Sequence, residues 1–251
     1  MARNKALYKL LAVLFWLAIW QLGAMLANKN LLIPIPTATD ALKSLAAMCR
    51  RLSFWKTVGV SLLRISIGFA AAVILGTVCA LISARCEFFK ILFSPLLQLI
   101  RSIPVASFTI LVFLWISREK IPSVISFMTV FPIVWANLEC GAAELDRGLI
   151  EMARVFGMPG PGMLKEIILP GLRPYFATAA ANGIGFAWKS GVAAEVICRA
   201  SDSIGNMLWA SKNSVDYSEV FALTIVIVIL STLLQKLAGA ILRGGKKYDN
   251  T

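Results

Sequence analysis

Apolar runs of about 20 residues recur from Leu10 to Leu242, broken by short charged stretches. Runs of this length set the solvent before they set the fold. In lipid the backbone must satisfy its own hydrogen bonds, which leaves helices or closed barrels. These runs are too long and too continuously apolar for barrel strands. The chain is therefore read as an all-α, polytopic membrane protein forming a single transmembrane domain over 1–251.

Six spans follow, at 10–27, 58–83, 93–116, 121–138, 174–197 and 220–242. The first follows Arg3, Lys5 and Lys9, a pattern shared with signal peptides. It lacks a clean small-x-small cleavage site and is read as an uncleaved span. The second and fifth are rich in Gly and Ala, which let helices approach closely in lipid. Pro104 interrupts the third, and Pro132 lies inside the fourth. An even number of spans puts both termini on one side. Both tails are basic, ending in Arg243, Lys246 and Lys247 at the C-terminus, so both are placed in the cytoplasm. Segment 28–57 is then external. Its Pro34-Ile35-Pro36 and later amphipathic stretch predict a helix lying on the outer surface.

Charge and cysteine content remove other classes. The net charge is +12, but the basic residues are scattered between apolar runs with no basic stripe. That pattern fits lipid headgroups and loop orientation, not nucleic acid. The five cysteines form no C-x-x-C, and their odd number in or beside apolar runs reads as free thiols. There is no histidine, which excludes histidine-dependent hydrolysis. The acidic residues contain no D-x-x-x-D, so a metal-dependent lipid-headgroup transferase finds no ligand cluster.

One long polar interruption remains, 139–171. Leu145, Leu149, Met152, Ala153 and Phe156 fall on one helical face, with Glu144, Asp146, Arg147, Glu151 and Arg154 interleaved. Glu151 can pair with Arg154 at i, i+3. Gly157-Met158-Pro159-Gly160-Pro161-Gly162 must end that helix, with Gly157 able to take the left-handed conformation. A second short helix, Met163 to Leu169, is predicted to close at Pro170. The product is a helix–turn–helix elbow outside the membrane. On physics alone, an interfacial elbow with no partner fits equally well.

Glu151-Met152-Ala153, Gly157 and Ile167-Ile168-Leu169-Pro170 resemble the EAA loop of ABC importer permeases, written EAA-x3-G-x9-I-x-LP. Met152 replaces the usual middle Ala. Ser61 to Gly68, Ile103-Pro104, Trp188, Ala194-Glu195 and Ser203-Ile204-Gly205 are similar to the nitrate/sulfonate/taurine group of these permeases. The sequence departs from that group after Pro104, where more prolines are usual, and at Lys189.

The resemblance implies a type I importer permease fold in a bacterial cytoplasmic membrane. It implies a permease dimer, a separate ATP-binding cassette ATPase and an extracytoplasmic solute-binding protein. Glu151, Ala153, Phe156, Gly157, Leu169 and Pro170 then belong to the ATPase contact. No cofactor is implied for this subunit: it has no P-loop, and ATP would be bound by its partner. The implied solute is a small anion such as nitrate, a sulfonate or taurine, or a thiamine-pyrimidine precursor. Charges within spans mark candidate pathway residues: Arg64, Arg101, Lys189 and Glu195. Glu195 also reads as a gate or interface residue. The alternatives are the membrane subunit of an energy-coupling-factor vitamin transporter, which the EAA spacing disfavours, and a secondary transporter, which has no need of the elbow.

Overall fold

The computed structural model describes residues 2–29 and 34–243. The basic tail with Lys246 and Lys247 lies outside them. Eleven helices are described: α1 Ala2–Ala27, α2 Ala38–Cys49, α3 Leu52–Ser83, α4 Glu87–Ser102, α5 Val105–Val112, α6 Ile121–Ala143, α7 Arg147–Val155, α8 Gly160–Met163, α9 Leu169–Cys198, α10 Ile204–Asn213 and α11 Tyr217–Arg243. A π turn, Leu164–Ile168, joins α8 to α9. By length and composition, α3, α6 and α11 can each cross a membrane, and the bent pair α4–α5 has the length and apolar character of a broken span or a re-entrant loop. The apolar part of α1 is shorter, Leu11–Ala27. At 1.5 Å per residue the 23-residue α6 is about 34 Å long, matching a hydrocarbon core of about 30 Å.

The bundle is built on α3, α6 and α9. Small residues set the spacing. A Cβ at Gly68 would lie 2.0 Å from the Ser123 carbonyl oxygen, so α3 and α6 touch backbone to backbone. Gly76 sits against Val134, further along both helices, so the two run in the same direction. On α9, Gly191 meets Ile65 and Ser126, and Gly183 meets Val130, so α9 runs opposite to both. The fully buried Trp188 donates from Nε1 to the Ile227 carbonyl at 2.9 Å, tying α9 to α11. Phe89, Phe93, Phe131 and the buried Trp135 form an aromatic cluster where α4 meets α6. The outer flanks of α3 and α11, including Ile67, Ile74, Leu75, Val228 and Leu237, are exposed and apolar, as lipid contact requires.

Two expectations need correction and one is refined. The span at 93–116 is not one helix. It breaks at Ile103-Pro104, and α5 leaves α4 at 99°. Pro104 has no N–H and restricts Ile103 to the extended region, ψ 124, so the α4 ladder ends there. Segment 28–57 does carry a helix, α2, and it is packed onto the bundle. α2 buries Ala38, Ala41 and Met48 and packs against α11. Pro170 does not close a short helix. It lies in the first turn of α9, where its missing N–H is tolerated, and the helical path runs on from Gly160 to Cys198.

Candidate functional site

At one end of the bundle, α6 stops at Glu144 and the chain turns into α7. Asp146 caps α7 by accepting the Gly148 N–H at 2.8 Å. The other end closes as the glycine spacing predicts. Gly157 has φ +71, its N–H reaches the Arg154 carbonyl at 2.9 Å, and the Met158 N–H reaches Ala153 at 2.9 Å. These two bonds make a Schellman motif.

The α7 surface divides unevenly. Ala153 is turned inward and buried. Leu149, Met152, Val155 and Phe156 all point outward, with Val155 84% and Phe156 81% exposed. The predicted single face is thus split, with Ala153 on the protein side and the larger apolar side chains on the free side. Glu151 and Arg154 are both exposed and form no ion pair with each other. The ion pairs among the described residues are Lys90–Glu139 and Arg118–Glu119.

Two contacts fasten the elbow to the bundle, and sequence reasoning missed both. Tyr175 on α9 donates to the Glu144 carboxylate and lies against Gly141, where a Cβ would be only 2.5 Å from its ring. Leu145 fills the space over Gly171, 2.4 Å from where a Cβ would stand. The signal was present only as paired small and large residues on separate helices. Leu169 is exposed and Pro170 sits beside it at the start of α9, so this part of the motif belongs to the root of the elbow.

Arg64 and Glu195 lie at the same junction of α3, α9 and α10, but no ion pair joins any two of the span charges. Glu195 is wholly buried. Its Oε2 accepts from the Ser61 hydroxyl at 2.9 Å and the Gly205 N–H at 3.2 Å. It opens onto no surface of the protomer, so its placement is that of a packing carboxylate. Arg64 donates to the Ser201 carbonyl at 2.7 Å and holds the α9–α10 turn. Arg101 donates to the Pro132 carbonyl at 2.8 Å, midway along α6. Lys189 is exposed. With Thr178, Asn182 and Phe186 it forms one exposed stripe along α9, a helix buried on its other faces. All five cysteines are free thiols.

Residues 72–244 match the model of the family described as the binding-protein-dependent transport system inner membrane component. A putative aliphatic sulfonates transport permease, SsuC of Escherichia coli strain K12, is 28% identical over 223 residues, 88% of this chain and 82% of that one. The nitrate import permease NrtB of Synechocystis is 29% identical over 179 residues. That match covers 70% of this chain and 64% of NrtB, just under two thirds of its length. A crystal structure of a bacterial ABC transporter involved in alginate import superposes with a TM-score of 0.61 at 16% identity, covering 98% of each chain. The chain therefore belongs to the binding-protein-dependent transport system inner membrane components and is an ABC importer permease, a multi-pass membrane protein related to permeases named for sulfonates and nitrate.

Proposed function

We propose that this permease imports a small anion, works as a dimer, and is driven through the α7 elbow by a separate ATPase subunit. The observation that carries the reading is the outward apolar face of α7. Four large apolar side chains stand free on a helix whose ends are both fixed. Burying one such side chain against a partner is worth about 1.5–3 kcal/mol. Phe156 is the anchor, while the inward Ala153 and the tight turn at Gly157 keep the elbow thin enough for a groove. Glu151 and Arg154, unpaired at its edge, supply charges for the partner to meet.

The elbow suits a lever. Tyr175 and Leu145 tie its root to both α6 and α9, so a push on α7 tilts two core helices together. ATP binding and hydrolysis belong to the partner, and closure of the ATPase pair shifts the dimer between inward-open and outward-open states. The termini face the cytoplasm with the elbow, and the external binding protein delivers the solute to the opposite end.

The pathway runs along the exposed stripe of α9. Asn and Lys on a lipid-facing surface are costly, so Asn182 and Lys189 belong against water in the dimer. Lys189 attracts an anion, which agrees with relatives named for sulfonates and nitrate. The test is accumulation of a labelled alkanesulfonate, taurine or nitrate by proteoliposomes holding permease, ATPase and binding protein. Accumulation of one of them only with ATP supports the reading. Accumulation that ignores ATP makes the chain a secondary transporter.

A further inference from the structure

The break at Ile103-Pro104 leaves a cavity of about 270 Å³ between the α4–α5 bend, the middle of α6 and α9. That is far more room than the roughly 30 Å³ taken by one water in the liquid. Its walls are apolar, formed by Ile103, Phe108, Met128 and Phe186 among others, with Arg101 and Thr129 as its polar side chains. The Thr129 hydroxyl proton is used within α6, on the Ile125 carbonyl at 2.8 Å. Arg101 is therefore the donor left in the cavity. Arg101 is exposed in the protomer, and one of its five N–H groups is held by the Pro132 carbonyl, which tethers the guanidinium at the cavity's edge. No carboxylate among the described residues pairs with it.

A tethered cation without a carboxylate partner, at the edge of an apolar wall, has a definite complement. Its ligand carries an oxyanion head for Arg101 and an apolar body for the rest of the surface. A bare inorganic anion would give up its hydration and leave the apolar walls with nothing to bury. Phe186 belongs both to the cavity and to the exposed stripe of α9, with Lys189 close by on the same face, so the cavity opens onto that stripe. We infer that this cavity is a transit site for an organic anion with an apolar body, its head on Arg101 and its body between Ile103, Met128 and Phe186. The inference rests on the reading of the chain as an anion importer and narrows the solute class.

The experiment uses the intact permease–ATPase complex in lipid nanodiscs and benzenesulfonate as the probe, with binding followed by saturation-transfer NMR. Arg101→Gln should weaken binding at least tenfold. Phe186→Ala, at a half-exposed position that the fold tolerates, should weaken it about threefold or more while Arg101 stays in place. Nitrate at the same concentration should not displace the probe. Equal binding by the wild type and both variants would overturn the inference, and so would displacement by nitrate. A complex that imports an anion with ATP yet binds no benzenesulfonate would overturn the cavity and leave the importer standing. Binding through Arg101 in a protein that imports nothing with ATP would support the cavity and sink the importer.

Discussion

The Ser61 hydroxyl donates to the Glu195 carboxylate across 2.9 Å and at the same time accepts the Ile204 N–H at 3.0 Å. One side chain on α3 thus joins α9 to the start of α10. The Gly205 N–H is the second donor to Glu195 Oε2, at the N-terminus of α10 where negative charge is favoured, while the buried Oε1 has no partner among the described residues. Gly205 is obligatory at this spot: a Cβ there would stand 2.4 Å from the Glu195 Cβ.

Ser61→Ala should remove both bonds and lower stability by about 1–3 kcal/mol, since buried polar groups are left short of partners. Glu195→Ala should cost more. Glu195→Gln keeps an acceptor oxygen for Ser61 and Gly205 and should cost less than the alanine. Thermal unfolding of the detergent-purified protein measures all three. An unchanged Tm for Ser61→Ala would show that this junction bears no weight.

Gly68→Ala should be far more harmful than Gly59→Ala. A methyl at Gly68 is driven into the Ser123 backbone, whereas nothing lies within 4 Å of a Cβ at Gly59. The first change must part α3 from α6, at a cost of about 1–3 kcal/mol or more. The second should be neutral or slightly stabilising, because Ala is the better helix former. Folded yield and Tm of the pair are the readout.

Gly157→Ala meets open space, so its whole cost is conformational, roughly 1–2 kcal/mol for a left-handed φ. Gly157→Pro goes further, because proline fixes φ near −65° and lacks the N–H that reaches Arg154. Uptake should fall in the order wild type, alanine, proline, with membrane insertion retained. Normal uptake by the proline variant would contradict the lever.

Lys189→Met should lower anion uptake about tenfold or more while the protein still assembles with its ATPase. The side chain is exposed in the protomer and has no ion-pair partner among the described residues, so the effect should be on transport and not on stability. Uptake unchanged in this variant would place Lys189 outside the pathway.

Local chemistry was legible in the sequence. Gly157 and the apolar residues before it mark the end of α7, because glycine turns act over a few residues, whereas Asp146, read as one of the interleaved charges, proves to be its N-cap. The membrane class followed from apolar run length, and the family from the spacing of Glu151, Gly157 and Pro170. Long-range pairing was not legible. Ser61 and Glu195 lie 134 residues apart and read singly as a small residue and a stray charge. The 99° turn at Pro104 was read as an interruption, since a proline marks where a helix ladder fails but not where the next helix goes. Pro170 misled in the opposite sense, because a proline that ends one helix also suits the first turn of another. That Ala153 faces inward while its apolar neighbours face outward depends on how the elbow folds back on the rest of the chain, which no periodicity within α7 encodes.

The most direct test of the coupling elbow is co-purification of the mildly solubilised permease with a co-expressed cognate ATP-binding cassette ATPase, as wild type and as Phe156→Asp. Phe156 is 81% exposed, so the aspartate should leave the fold intact while placing a charge in the centre of the docking face. The wild type should hold the ATPase as a stable complex through size exclusion, and the variant should lose it. A variant that holds the ATPase as tightly as the wild type, or a wild type that holds none, would contradict the coupling elbow.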